Sequence, residues 1–422
     1  LLGEGLEWAS ANKDRIRTAA TVYEGEGQPL MDLSYEWKRG SAKIRKISAD
    51  PAFTDGNGCY SLAGAEYRIY ADQECSDQVG AFTTDEEGNS GAVELNVGQY
   101  YVKEYKSPAG YASDPTVYPI TVAEGQTVVL EVRDIPQSAP VEILLQKLDA
   151  ETGKNVPQGA ATLAGGEFTV RYYPGLFTDL TSEQPARSWV FRTDEQGRAI
   201  LNESGLVSGD SLYTDSGGKP VLPLGTLTIQ ETKAPAGYLI NDEVFIVQIT
   251  SDGNEEKVDT YNRPEVPEKV IRGELQIIKI AQDEDEKKEQ KSPLEGVVFE
   301  ITSKTTGESV RITTDENGFA STEQVGNLPY DTYVVSEVVT PDRYDPVGDF
   351  EITISEEGQV LRYVLEDKLV VAPVQLVKRD ASTGKTIPVE GTEFQLLDSE
   401  KNPVSMTTYY PKEETHDTFI TD

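Results

Sequence analysis

The sequence predicts an all-β chain built as an elongated array of tandem Ig-like β-sandwiches, and three observations lead there. Four short strand-like runs recur along the chain: 42–46, 143–147, 275–279 and 374–378. Turn signals rich in Gly, Asp and Pro punctuate the sequence every 8–12 residues or so, the usual spacing in sandwiches. No long stretch carries the 3.6-residue apolar period of a packed helix.

Each run opens a unit with a common layout. A polar stretch follows, then Leu62 to Tyr67, Leu163 to Phe168, Leu294 to Phe299 or Val389 to Phe394. Next come the turns Thr84-Asp85-Glu86-Glu87-Gly88, Thr193-Asp194-Glu195-Gln196-Gly197 and Thr314-Asp315-Glu316-Asn317-Gly318, and at the end Thr421-Asp422. Gly supplies the positive φ that such turns need. A further strand runs into a Pro turn at Pro108-Ala109-Gly110-Tyr111, Pro235-Ala236-Gly237-Tyr238 and the divergent Pro341-Asp342-Arg343-Tyr344. A last alternating strand closes each unit. The divisions expected are an N-terminal segment 1–39, read as the tail of a preceding domain, units at 40–137, 138–268 and 269–370, and a truncated fourth unit at 371–422. Linkers are placed near 136–140, 264–269 and 369–373. Trp8 to Tyr23 can form a short helix.

Composition narrows the function. The 422 residues carry 38 Lys and Arg against 73 Asp and Glu, a net charge of −35. Such a surface repels nucleic acid and anionic membranes. No apolar run approaches the ~18 residues of a membrane span, and no secretory signal opens the chain. The chain starts and stops within its own pattern and is expected to belong to a longer protein. With a single histidine, His416, near the end, neither a conventional catalytic triad nor a zinc site is available. No phosphate loop occurs, and no cofactor or metal is expected.

The sharpest signal is ionisable residues on the apolar parity of strands. Side chains at i, i+2 and i+4 share a face. Lys46 therefore lies with Ala42 and Ile44, Lys147 with Ile143 and Leu145, and Lys279 with Leu275 and Ile277. Glu104 follows Tyr100 and Val102, Glu231 follows Leu227 and Ile229, and Glu337 follows Tyr333 and Val335. In the closing strands Asp134, Asn262 and Asp367 take the inward parity. Lys-to-Glu spacing is 58 in the first and third units and 84 in the second, which places an insertion of 26 residues at 172–188 and 207–219. Glu-to-closing-residue spacing is 30, 31 and 30.

A buried charge costs several kcal/mol unless paired. One reading is a buried salt bridge, or charges that snorkel out at a sandwich edge. The other is covalent. Desolvation favours a neutral amine and a protonated acid, so the Lys nitrogen can attack Cγ of Asn262, Asp134 or Asp367 while the Glu moves protons. Strand pairing supplies the effective molarity.

These motifs, Lys-x-Asp-x-x-Thr-Gly-Lys at Lys147 to Lys154 and Lys378 to Lys385, Leu-x-Gly-x-Glu-Phe, Thr-Asp-x-x-Gly and Glu-x-x-x-Pro-x-Gly-Tyr, resemble the Cna protein B-type domains. Those SpaA-like, isopeptide-forming, pilin-related modules occur in surface adhesins of Gram-positive bacteria. The resemblance covers roughly residues 41–422. It implies prealbumin-like sandwiches, display on the cell wall outside the cell, and triads Lys46/Glu104/Asp134, Lys147/Glu231/Asn262 and Lys279/Glu337/Asp367. Two departures stand out: Asp342-Arg343 replaces Ala-Gly in the third Pro turn, and Lys378 has neither Glu nor acceptor before the chain stops.

The function expected is thus structural, that of stalk or spacer modules braced by single-turnover bonds, with no multi-turnover enzyme. Partners such as host glycan or matrix protein would bind through domains outside this chain. The alternative is a binding module, in which Tyr172, Tyr173, Phe177 and Trp189 of the second unit form a ligand surface. Cys59 and Cys75, flanking the second strand, are a disulfide candidate in an exported protein. The run Asp283 to Glu286 beside Lys287 and Lys288 reads as a solvated loop. Tyr410-Pro411-Lys412 loosely matches a pilin linkage motif and is read as coincidence.

Overall fold

The computed structural model describes residues 8, 10–23, 30–282, 291–370, 375–408, 412 and 414–421. The acidic run at 283–286, Lys287, Lys288, Val374, Tyr410, Pro411 and Asp422 lie outside the described residues. The chain is nearly all β.

In the first unit the opening strand Arg39–Ser48 lies between Val93–Asn96 and the closing strand Thr127–Asp134. Opening and closing strands run parallel, with Lys46 opposite Val132 and Ser48 opposite Asp134. A parallel pair requires a long crossover. Here the crossover builds the facing antiparallel sheet, ordered Gln78–Thr83, Glu66–Tyr70, Gly98–Lys106, Val117–Val122. Ala42, Ile44, Tyr67, Ile69, Val102 and Val132 fill the space between the sheets.

The third unit repeats the plan. Arg272–Ala281 pairs in parallel with Gln359–Leu369 over nine positions. The facing sheet runs Ser309–Thr313, Val298–Ser303, Asp331–Val339, Phe350–Ile354.

The second unit departs from it. Its parallel ladder has only four pairs, between Ile143–Asp149 and Glu265–Glu268. The segment expected to close the sheet turns instead toward the junction with the first unit, where Ser113 N–H donates to Asn254 O at 2.8 Å and Val258 N–H donates to Ser138 O at 3.0 Å. The insertion adds Leu206–Gly209 as a fifth strand to the facing sheet. Its aromatics pack inward: Tyr172 and Trp189 are 1% exposed and Tyr173 is 7% exposed. Tyr213 contacts Phe53 of the first unit edge-on, ring centroids 5.6 Å apart. Phe53, Tyr60 and Tyr111 of the first unit therefore join the core of the second, and of the four aromatics envisaged as a ligand surface only Phe177 remains half-buried.

Two further expectations change. Ile16–Tyr23 is a strand, paired antiparallel with Leu30–Trp37, rather than part of a helix. Its Thr, Val, Ile and Tyr residues favour a pleated backbone. Cys59 and Cys75 are free thiols. Cys59 packs against the core shared with the second unit, whereas the Cys75 thiol donates to Gln73 O at 3.7 Å within its own loop. Burial pushes the Cys59 thiol up to about 11.

The Thr-Asp-x-x-Gly turns lock the opening strands. The glycine carbonyls of Gly88, Gly197 and Gly318 accept the backbone N–H of Lys46, Lys147 and Lys279 at 2.7, 2.8 and 2.7 Å. The threonine hydroxyls of Thr84, Thr193 and Thr314 donate to the carbonyls of Leu62, Leu163 and Leu294. Gly88 has φ +78°, and a Cβ there would sit 2.2 Å from Lys46 O; Gly318, at φ +71°, would meet Lys279 O at 2.2 Å. Gly358 also has positive φ (+69°) but faces open space. Gly88→Ala and Gly318→Ala are expected to cost about 2–3 kcal/mol or more in urea unfolding, and Gly358→Ala about 1 kcal/mol. Equal effects at all three would show that the turn does not clamp the strand.

Candidate functional site

Lys46 and Asp134 stand on adjacent parallel strands, and Glu104 reaches them from the facing sheet. Lys46 Nζ lies 2.6 Å from Glu104 Oε1 and contacts Asp134 Oδ2, and it donates to Tyr67 Oη at 2.8 Å. In the third unit Lys279 Nζ lies 2.7 Å from Glu337 Oε2 and contacts Asp367 Oδ1. All six of these side chains have zero exposure. The parity of single strands thus carried the residues of two clusters, although bond formation does not follow from proximity.

In the second unit Lys147 contacts Glu231 Oε1, but its other neighbour is Glu268, 2.9 Å away at Oε1. Asn262 is exposed. The parallel register pairs Gln146 with Glu265, so Asn262 falls level with Ile143, four residues or about 13 Å short of Lys147. The expected acceptor is therefore corrected: its parity and spacing matched, but its segment leaves the sheet. A carboxylate 37 positions after Glu231 lay outside the 30-residue rule.

Sequence reasoning also missed two supports. Tyr67, Phe168 and Phe299, the aromatics that end the Leu-x-Gly motif, pair directly across from Glu104, Glu231 and Glu337. Their rings cover the lysine nitrogens at 4.9, 5.0 and 5.6 Å to the centroid, so each cation meets a π face in a dry setting. Each Glu is also held by a backbone N–H ten residues further on. Asp114 donates to Glu104 and Asn241 to Glu231, both at 2.7 Å, and Val347 donates to Glu337 at 3.1 Å. The Pro turns set that reach. Gly110 and Gly237 have φ +83° and +86°, and Arg343 adopts +81° in the same place, so the divergent turn leaves Glu337 in register.

Burial raises the carboxyls beside the lysines, Asp134 to about 6 and Glu268 to about 7, against the downward pull of the adjacent lysines. Asp367 is raised for the same reason. Apart from the ammonium contact, neither oxygen of Asp134 or Glu268 has a hydrogen-bond partner. A carboxyl raised by folding takes up a proton that the unfolded chain lacks. Before any covalent change, the stability it contributes is present below its unfolded value and lost as pH rises through about 6 in the first unit and about 7 in the second.

Lys378 Nζ, by contrast, donates to Thr392 Oγ1 at 3.1 Å and is half-buried. Among the described residues no group of His, Cys, Asp or Glu forms a metal site, and no helix is long and apolar enough to cross a membrane.

Two parallel strands, a facing sheet and a buried triad in each of the first three units define a class of repeated prealbumin-like module. The family described as SpaA, prealbumin-like fold domain, matches residues 53–136, 142–264 and 273–369, and the chain belongs to that family. No curated protein sequence matches the chain. Among solved structures, the Bacillus anthracis TIE protein is 24% identical with a TM-score of 0.51, over 84% of this chain and 58% of that one. BcpA, the major pilin subunit of Bacillus cereus, is 16% identical with a TM-score of 0.32, over 79% of this chain and 100% of its own. GBS52, the minor pilin of Streptococcus agalactiae, is 18% identical with a TM-score of 0.22, over 53% and 90%.

Removing one partner from such a cluster strands the other. Asp367→Ala leaves Lys279 with Glu337 alone and is expected to be less stable by about 3–5 kcal/mol than the Lys279→Met, Glu337→Leu, Asp367→Leu triple variant, neither chain being able to join Lys279 to Asp367. Urea unfolding of the whole chain checks it. Equal losses in the single and triple variants would mean that the cluster is not an electrostatic unit.

Proposed function

We propose that the chain is a stalk segment of a cell-wall-displayed adhesin or pilus-like protein of a Gram-positive bacterium, its units braced by intramolecular isopeptide bonds. The observation that carries this reading is the position of the reactants. In the first and third units a lysine on the opening strand adjoins a carboxyl on the parallel closing strand, 88 positions apart, with an acid facing both in a dry core.

The Lys nitrogen attacks the carboxyl carbon of Asp134 or Asp367. The tetrahedral intermediate expels a hydroxyl, which leaves as water after the facing Glu has taken a proton from nitrogen and returned it to oxygen. Held geometry replaces a bimolecular encounter, and the neutral amide removes the buried charges. The reaction runs once in each unit, so there is no turnover.

The consequence is mechanical. Tension enters the opening strand at its N-terminal end and leaves the closing strand at its C-terminal end, shearing the ladder between them. A bond from Lys279 to Asp367 passes that load directly across and shields the 87 intervening residues. By analogy with disulfide closure of a loop of this length, it also stabilises the unit by about 4–5 kcal/mol. The junctions fit a load-bearing role. Tyr60 Oη bridges the first and second units by donating to Gln137 O at 2.7 Å and accepting from Leu224 N at 2.8 Å. Arg272, opening the third unit, grips Glu151 of the second at 2.6 Å and Gln158 at 2.8 Å.

Each Lys–Asp bond is expected to lower the intact mass by about 18 Da, the mass of one water. Glu104→Ala should leave the first unit at full mass and Glu337→Ala the third. Full mass in the unaltered protein would end the covalent reading and leave three buried salt-bridge clusters.

A further inference from the structure

The second unit contains a lysine and a facing acid but no Asp or Asn at the acceptor position. Resting on the reading above, we infer that Glu268 is the acceptor there, so that this unit closes through a Lys147 Nζ–Glu268 Cδ amide.

Register is the first argument. The residue opposite the lysine on the parallel closing strand is Val132, Val266 or Leu365. Two positions beyond it stand Asp134, Glu268 and Asp367. Glu268 thus occupies the place taken by the aspartates in the other units, on the same face and at the same level. Its exposure is zero, and beyond the ammonium contact neither oxygen finds a hydrogen-bond partner. The carboxyl is desolvated and unheld except by the amine itself.

Volume is the second. Glutamate is one methylene longer than aspartate, so the amine needs a slightly different position. The residue two before the aromatic cover is Ala65 in the first unit and Val297 in the third, both fully buried, but Gly166 in the second. A Cβ placed on Gly166 would lie 2.8 Å from Lys147 Nζ. The methylene gained at the acceptor is matched by a methyl absent beside the amine.

The step balances. The Nζ lone pair attacks Cδ of Glu268, an N–C bond forms and the C–OH bond breaks. The proton lost by nitrogen passes through Glu231 to the departing hydroxyl, which leaves as water. No oxidant, metal or co-reactant takes part.

Peptide mapping by mass spectrometry of the whole chain tests it, in the unaltered protein and in Asn262→Ala and Glu268→Gln. The expected result is a branched peptide joining Lys147 to Glu268, about 18 Da below the sum of its parts and unchanged by Asn262→Ala. Glu268→Gln begins about 1 Da lighter and should lose ammonia, about 17 Da, reaching the same linked mass. A link from Lys147 to Asn262 would overturn the inference. So would an unlinked second unit beside linked Lys46–Asp134 and Lys279–Asp367, and that result would leave the braced-stalk reading standing. If no unit is linked, the covalent reading fails and this inference falls with it.

Discussion

A lysine nitrogen sealed between two β-sheets constrains everything near it. Water is excluded, so the charge must be balanced within a few ångströms or removed, and the geometry that balances it is also the geometry of a reactant pair. Opening and closing strands must be neighbours for the amine to meet the carboxyl, and in all three units they pair in parallel. That in turn sends the intervening chain over the top to form the facing sheet, from which the glutamate descends. Tyr67, Phe168 and Phe299 close the space above the amine. The Thr-Asp-x-x-Gly turn fixes the strand at the lysine itself, through the carbonyls of Gly88, Gly197 and Gly318.

The second unit shows how this arrangement tolerates change. Most of the aromatic side chains of its insertion pack inward. Tyr172, Trp189 and Tyr213 join Phe53, Tyr60 and Tyr111 of the first unit in a single core, and Asn57 Nδ2 donates across the junction to Tyr172 Oη at 2.8 Å and Leu224 O at 2.9 Å. The closing segment contributes to the same junction through Val258. The ladder shortens from eight or nine pairs to four, yet the last of those four still brings a carboxyl to Lys147. The local chemistry survives because it depends on the end of the ladder rather than on its length.

Period-two parity was enough to place Lys46, Glu104, Asp134, Lys279, Glu337 and Asp367 on inward faces, because a strand offers only two sides and their neighbours are apolar. The repeated motifs likewise marked the units and their turns. The same logic failed at Asn262, whose parity was right within a segment that does not join the sheet. It also failed at the N-terminal segment, where a composition compatible with a helix yields the strand Ile16–Tyr23 once a partner strand supplies its hydrogen bonds. Cys59 and Cys75 were a disulfide candidate because they flank one strand of an exported protein, but Cys59 packs at the junction with the second unit and Cys75 in its own loop.

What the sequence determined by itself was the alternation of faces, the turn chemistry and the identity of each opening lysine and facing glutamate, all properties of a few adjacent residues. Only the tertiary structure decided which carboxyl completes the second cluster and where the insertion packs. Both depend on which segment wins the edge of a strand. That competition is settled by hydrogen bonds and burial between residues more than a hundred positions apart, and no local pattern records it.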